Sequence, residues 1–153
     1  MYTKNKNPNK ETKKMAKAKV RLIEAEMNIL TIPQGWYTVC AVAENEDFTI
    51  GLPKLFNDTY YLKERLEDLE LNKAYLKGNA FVLVVKKSVY DRVDIEDLAK
   101  GLEDLAMYCA EEGVTKLAMP KICCGRNGLA WKEVKRMVKQ AFAALNIQIV
   151  VCK

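Results

Sequence analysis

Phe81-Val82-Leu83-Val84-Val85-Lys86-Lys87 is an uninterrupted apolar run that ends on two lysines. That is the pattern of a strand covered on both faces. Downstream, Asp94 is placed to cap a helix whose apolar stripe is Ile95, Leu98, Leu102, Leu105 and Cys109, and Gly113 is placed to stop it. Lys116–Met119 then reads as a short strand and Pro120–Gly128 as a loop. Trp131, Val134, Val138, Ala141 and Leu145 form a second helical stripe, and Ile147–Cys152 closes as an apolar strand. Strand, helix, strand, helix, strand calls for parallel pairing with crossover helices, so the fold class is α/β.

Upstream of Phe81 the pattern continues with less regularity. Ala74–Leu76, Lys77-Gly78-Asn79 and Ala80–Val85 read as a hairpin, because Gly-Asn supplies the positive φ angles of a tight turn. The hairpin adds an antiparallel pair, so the central sheet is predicted to be mixed. Trp36–Val42 is β-branched, aromatic and apolar, a buried strand followed by the loop Glu44–Asp47. A helix is expected near Pro53, and it or a second helix after Asn57-Asp58 should carry Leu62, Leu66 and Leu69 on one face. Val20–Ile23 and Met27–Ile32 read as short strands before the turn Pro33-Gln34-Gly35. There is no internal repeat, and 153 residues suit one domain with its own core.

The net charge of +5 is unevenly distributed. Residues 1–19 hold seven lysines against Glu11, a net +6, which leaves −1 for the remainder. The expected organisation is a basic, disordered arm over 1–18 and a domain over 19–153. Residues 4–19 are the segment that could make weak contact with nucleic acid or another polyanion, and only Tyr2 adds an aromatic. No apolar run approaches the ~20 residues that span a bilayer, and the polar start has no signal-like apolar stretch. Five cysteines, an odd number in apolar contexts, suit buried thiols in a reducing compartment, so a cytoplasmic location is expected. With no histidine and no Cys-x-x-Cys spacing, neither a metal site nor a cofactor is expected.

Ligands of open α/β sheets collect beyond the carboxyl ends of the strands. Two loops qualify, Glu44–Pro53 and Pro120–Leu129. The second reads Pro120-Lys121-Ile122-Cys123-Cys124-Gly125-Arg126-Asn127-Gly128-Leu129-Ala130-Trp131. Two glycines precede a helix there, so backbone N–H groups can point at an anion with the helix dipole behind them, and phosphate is the natural guest. Cys123 and Cys124 have no neighbouring base in the sequence and read as packing rather than redox groups.

The stretch Gly113–Gly125 followed by Leu129-x-Trp131-x-x-Val134 resembles the second phosphate loop of the macro domain family. Within that family it is most similar to the branch of terminal ADP-ribose protein glycohydrolases and their bacterial and phage relatives, which carry Met-Pro-Lys/Arg-Ile-Gly-Cys-Gly-Leu-Asp-x-Leu-x-Trp. Phe81–Lys87 and the following Asp97-Leu98…Leu102…Leu105 helix resemble the same branch. Asp47-Phe48-Thr49-Ile50-Gly51-Leu52-Pro53 is similar to its first phosphate loop, usually Gly-Ala-Gly-Ile-Ala, and Glu26-Met27-Asn28-Ile29-Leu30 stands where the family has Gly-Asp-Leu/Ile. The resemblance covers residues 19–153. It implies a three-layer α/β/α macro-domain fold and an ADP-ribose-type ligand, held by Asn28 and Ile29, by Thr49, Ile50, Gly51 and Leu52, and by Pro120, Cys123, Cys124, Gly125, Arg126, Asn127, Gly128 and Leu129.

The departures fall on functional positions. The family's adenine-contacting Asp is Asn28, whose side-chain oxygen still accepts from an amine but without charge. The first loop keeps one glycine, Gly51, where two are usual, and Thr49 and Pro53 add a Cβ and remove a donor. The resemblance implies a catalytic Lys and a proton-transferring Asp. Lys86 matches the first, and Asn127 stands at the second. An amide has no acid or base form near neutrality, and losing such a group costs roughly 10²–10⁴-fold. The expected function is therefore binding of ADP-ribose, of a related nucleotide, or of an ADP-ribosylated macromolecule. A lysine-dependent ADP-ribosyl hydrolase altered at Asn127 is the first alternative, and a nucleic-acid-associated protein working through its arm is the second.

Overall fold

Residues 80–85 are buried without exception, because the strand they form has a neighbour on each edge and a helical layer on each face. The computed structural model describes residues 19–125 and 127–153. The arm expected over residues 1–18 lies outside them, and of the segment 4–19 expected to make weak polyanion contact only Lys19 is described. Six strands make one sheet: β1 Arg21–Ala25, β2 Tyr37–Ala43, β3 Ala74–Lys77, β4 Ala80–Lys86, β5 Lys116–Pro120 and β6 Gln148–Cys152, in the order β1-β6-β5-β2-β4-β3. All neighbours are parallel except β3, which pairs antiparallel with β4 through the Gly78 turn (φ +61°). The mixed sheet expected from the hairpin is present.

Alternate residues of β4 separate two cores. Phe81, Leu83 and Val85 face a layer made by the helices Ile95–Glu112 (α3) and Trp131–Ala141 (α4), with Leu98, Leu102, Leu105, Val134 and Val138 filling the interface. Ala80, Val82 and Val84 face the helices Gly51–Tyr60 (α1) and Leu62–Arg65 (α2), through Phe56 and Leu62. The result is three layers, α/β/α. Asp94 caps α3 as expected, its carboxylate accepting from the Glu96 N–H at 2.8 Å, and Gly113 ends it at φ +69°.

Three local expectations fail, each for a backbone reason. Met27–Ile32 is no strand, because Asn28 accepts from the Leu30 N–H through its side chain at 2.9 Å and from the Thr31 N–H through its carbonyl at 3.0 Å. This curls Ile29–Thr31 into a single 3-10 turn, an Asx-type bond competing with the ladder. The Leu62, Leu66, Leu69 stripe is not one helical face: Tyr61 is left-handed at φ +56°, and α2 stops before Leu66, which is extended. Leu145 lies beyond the end of α4, where Phe142 already caps the helix and packs in the core.

Candidate functional site

The five parallel strands end on one side of the sheet, and the segments leaving β1, β2, β4, β5 and β6 form its rim. Residues 26–29, Leu52, Pro120, Cys152 and Lys153 enclose a cleft of about 570 Å³ there. Four predicted site residues meet in it: Asn28, Ile29, Leu52 and Pro120. The 3-10 turn is what brings Asn28 to the cleft, so the failed strand prediction and the site are linked. One oxygen lone pair of Asn28 is already spent on Leu30, which leaves its second lone pair for a ligand. Sequence reasoning missed Glu26, Met27, Cys152 and Lys153. The pairing of β1 with β6 carries the C-terminal residues to this rim, and no local pattern reports that.

The loop after β2 leads into α1. The Asp47 carboxylate accepts from the Thr49 hydroxyl at 2.7 Å and from its N–H at 3.2 Å, an Asx turn that folds the loop back. These bonds, the hydroxyl first, hold Asp47 below its ordinary value of 3.8. Phe48 is buried beneath the turn, while Ile50 is exposed. Gly51 takes φ +66°, a conformation that favours glycine, and α1 begins there without a side-chain cap. Among the described residues, the N–H groups of Gly51 and Leu52 therefore keep no intramolecular acceptor.

The loop after β5 is closed by its own backbone: Leu129 donates to the Cys123 carbonyl at 3.1 Å, and Gly128 (φ +75°) to the Gly125 carbonyl at 3.0 Å. Cys123 adopts φ +61° and turns its side chain into the α3/α4 core beside Ile122. Burial pushes its thiol up to about 12, and burial raises Cys124 as well, so neither is a ready thiolate. Only the backbone of Cys123 is placed to serve a ligand. The N–H groups of Gly125 and Asn127 have no acceptor among the described residues. Leu129 packs against the core. Arg126 lies outside the described residues.

Lys86 and Asn127, 41 positions apart, do meet. The Lys86 ammonium donates to Asn127 Oδ1 at 2.9 Å. Each of the two strand-end loops sends one residue to the cleft, Leu52 and Pro120, while Thr49, Ile50, Gly51, Lys86, Cys123, Cys124, Gly125, Asn127, Gly128 and Leu129 are not among the residues that line it. No group of histidine, cysteine or acidic side chains among the described residues could hold a metal ion.

No family model matches the chain. Compared with curated proteins, it is 28% identical over 137 residues to "ADP-ribose glycohydrolase OARD1" of Bos taurus, covering 86% of this chain and 90% of that one. The human protein of the same name is 38% identical over 71 residues, which span 46% of this chain and 47% of the relative. Among solved structures, the "Macrodomain of Thermus aquaticus DarG" superposes with a TM-score of 0.74 at 23% identity, over 88% of this chain and 99% of that one. The chain has the macro-domain fold. A second solved structure, "Thermosipho africanus DarTG in complex with ADP-ribose", superposes with a TM-score of 0.69 at 19% identity, over 86% of this chain and 41% of that one. The three-layer fold expected from the resemblance is the fold these macrodomains have. No helix among the described residues is long and apolar enough to cross a membrane.

Proposed function

We propose that this macro domain binds ADP-ribose, free or attached to a macromolecule, and acts as a reader of that group. Relatives named for ADP-ribose hydrolysis and for an ADP-ribose complex supply the ligand class. The observation that carries the reading is that two loops with unused backbone donors, at Gly51 and Leu52 and at Gly125 and Asn127, leave the carboxyl ends of the neighbouring parallel strands β2 and β5, and each sends a residue, Leu52 or Pro120, into the cleft. Such donors suit the negatively charged oxygens of a diphosphate, and α1 sets its positive dipole end behind the first pair. In this reading Asn28 and Ile29 hold the adenine end in the cleft. Thr49, Ile50, Gly51 and Leu52 contact one phosphate. The segment from Pro120 to Leu129, Arg126 included, contacts the other phosphate and the distal ribose. The five free, largely buried thiols suit a cytoplasmic setting. Residues 1–18 are a separate basic arm.

Titration calorimetry with ADP-ribose tests the assignment, with binding expected in the micromolar range. Gly125→Val is the informative variant. A Cβ at Gly125 meets nothing within 4 Å, and the backbone there is not left-handed, so the protein itself tolerates the change. The new branched side chain would stand where phosphate must approach. Loss of binding with an unchanged melting temperature is expected; equal binding, or no heat from the parent at millimolar ligand, sinks the assignment.

A second reading, a lysine-dependent ADP-ribosyl hydrolase, is favoured by one observation, the 2.9 Å contact between Lys86 and the residue at the Asp position. With Asn127 there, the site lacks the proton carrier this chemistry uses.

A further inference from the structure

Lys86 has more partners than Asn127. Its ammonium also donates to the Asp91 carbonyl at 3.1 Å and to the Val89 carbonyl at 3.3 Å. An ammonium has three N–H donors and no lone pair, so these three acceptors match its full capacity. The turn that wraps it is stitched from outside as well. Ser88 N–H donates to the Asp91 carboxylate at 3.2 Å, Asp91 N–H to the Ser88 carbonyl at 2.9 Å, and Val89 N–H to the side-chain oxygen of Asn45 at 3.0 Å. Asn45 belongs to the loop after β2, Val89 and Asp91 to the turn after β4, and Asn127 to the loop after β5. The Lys86 ammonium joins the last two of these segments directly, and the first is tied to them through Val89.

We propose that Lys86 is a positioning residue. It clasps the Val89–Asp91 turn to the Cys124–Leu129 loop, and it holds that loop's backbone donors in place rather than acting as a nucleophile. A nucleophilic amine needs a free lone pair directed at the ligand, whereas here every direction of the ammonium is taken by an acceptor. The same contact sets the amide of Asn127. Lysine cannot accept, so Asn127 must turn its oxygen towards Lys86, and its Nδ2 group is left over. Among the described residues that Nδ2 donates to nothing. The site thus offers a ligand a neutral donor where a carboxylate would offer an acceptor. The clasp itself is independent of what the cleft binds; its effect on affinity rests on the ADP-ribose reading.

The test uses the full chain with Lys86→Met, which keeps an unbranched side chain and removes all three donors, and Lys86→Arg, which restores charge and donors in a planar array. Hydrogen–deuterium exchange without ligand reads the clasp directly. Exchange of the 88–91 and 124–129 segments is expected to quicken in Lys86→Met and to recover partly in Lys86→Arg, with α3 unaltered. ADP-ribose affinity should fall about 10-fold or more in Lys86→Met, because binding must then order the loop that the lysine held. If Lys86→Met does not fold, Asn127→Leu, which removes one acceptor, carries the same exchange measurement. Unchanged exchange in these segments overturns the proposal. So does a borohydride-reduced ADP-ribose adduct on Lys86 of the parent, found by intact mass and peptide mapping, because it requires a free amine. If the parent shows no heat with ADP-ribose, the ligand reading fails while the exchange data still decide the clasp.

Discussion

In the proposed reading, Asn127 is the residue on which binding and catalysis part company. Its neutral amide accepts from Lys86 and has no proton to exchange near neutrality. The parent is therefore expected to leave ADP-ribosylated protein intact in a release assay. Asn127→Asp supplies an acceptor-only carboxylate at the same place. With Lys86 still held by Val89 and Asp91, turnover should rise far less than the ~10²–10⁴-fold that a general acid–base group supplies. A gain of that full size would show that the lysine mechanism is latent and that only the proton carrier was missing. Intact mass on fresh protein must accompany the assay, because Asn127-Gly128 is a flexible pair prone to deamidation. Robust turnover by verified parent protein would defeat the reader assignment. At this scale the sequence was informative where a motif named a position: it singled out Lys86 and Asn127, and the fold brings the two side chains into contact. It was silent on Glu26 and Lys153, which reach the cleft through pairing between the two ends of the domain.

At the scale of elements, α3 shows what holds the site's scaffold. Its cap and its buried face contribute on different scales. Replacing an N-cap Asp by Ala costs about 1 kcal/mol, whereas emptying a fully buried Leu position costs about 2–5 kcal/mol. Asp94→Ala is expected to lower stability by about 1 kcal/mol in chemical denaturation, with ADP-ribose affinity unchanged. The helix stays in place because Leu98, Leu102 and Leu105 are fully buried against β4. A drop above 3 kcal/mol would mean that Asp94 does more than cap. Elements with long periodic faces, α3 and β4, were legible from residue spacing. The segments 27–32 and 61–69 were not, since one hydrogen bond from Asn28 and one left-handed residue, Tyr61, overrode apolar patterns that looked regular.

For the whole molecule, the boundary proposed at residue 19 makes a simple prediction. Lys19, the first described residue, donates its N–H to the Ala143 carbonyl at 2.7 Å. Residues 1–17 hold little apolar side chain that could repay the entropy of ordering. A protein starting at Ala18 should melt within about 2–4 °C of the full chain, the shift that ~1 kcal/mol produces at this size. It should also retain its ADP-ribose affinity. A larger drop would mean that the arm packs on the body and that the boundary lies elsewhere.

The sequence by itself determined the class, the mixed sheet and the two strand-end loops, because periodicity and turn chemistry are local properties. Phe81–Val85 could only be a doubly covered strand, and Gly113 and Gly128 mark where the chain must turn. What the tertiary structure alone decided is which distant groups share a rim. The order β1-β6-β5-β2-β4-β3 sets the C-terminal Lys153 beside Asn28 and sets Lys86 beside Asn127. The saturation of the Lys86 ammonium is likewise a tertiary fact: it depends on how the turn after β4 and the loop after β5 converge, and no spacing along the chain encodes that Asn127 will meet the same amine as Val89 and Asp91.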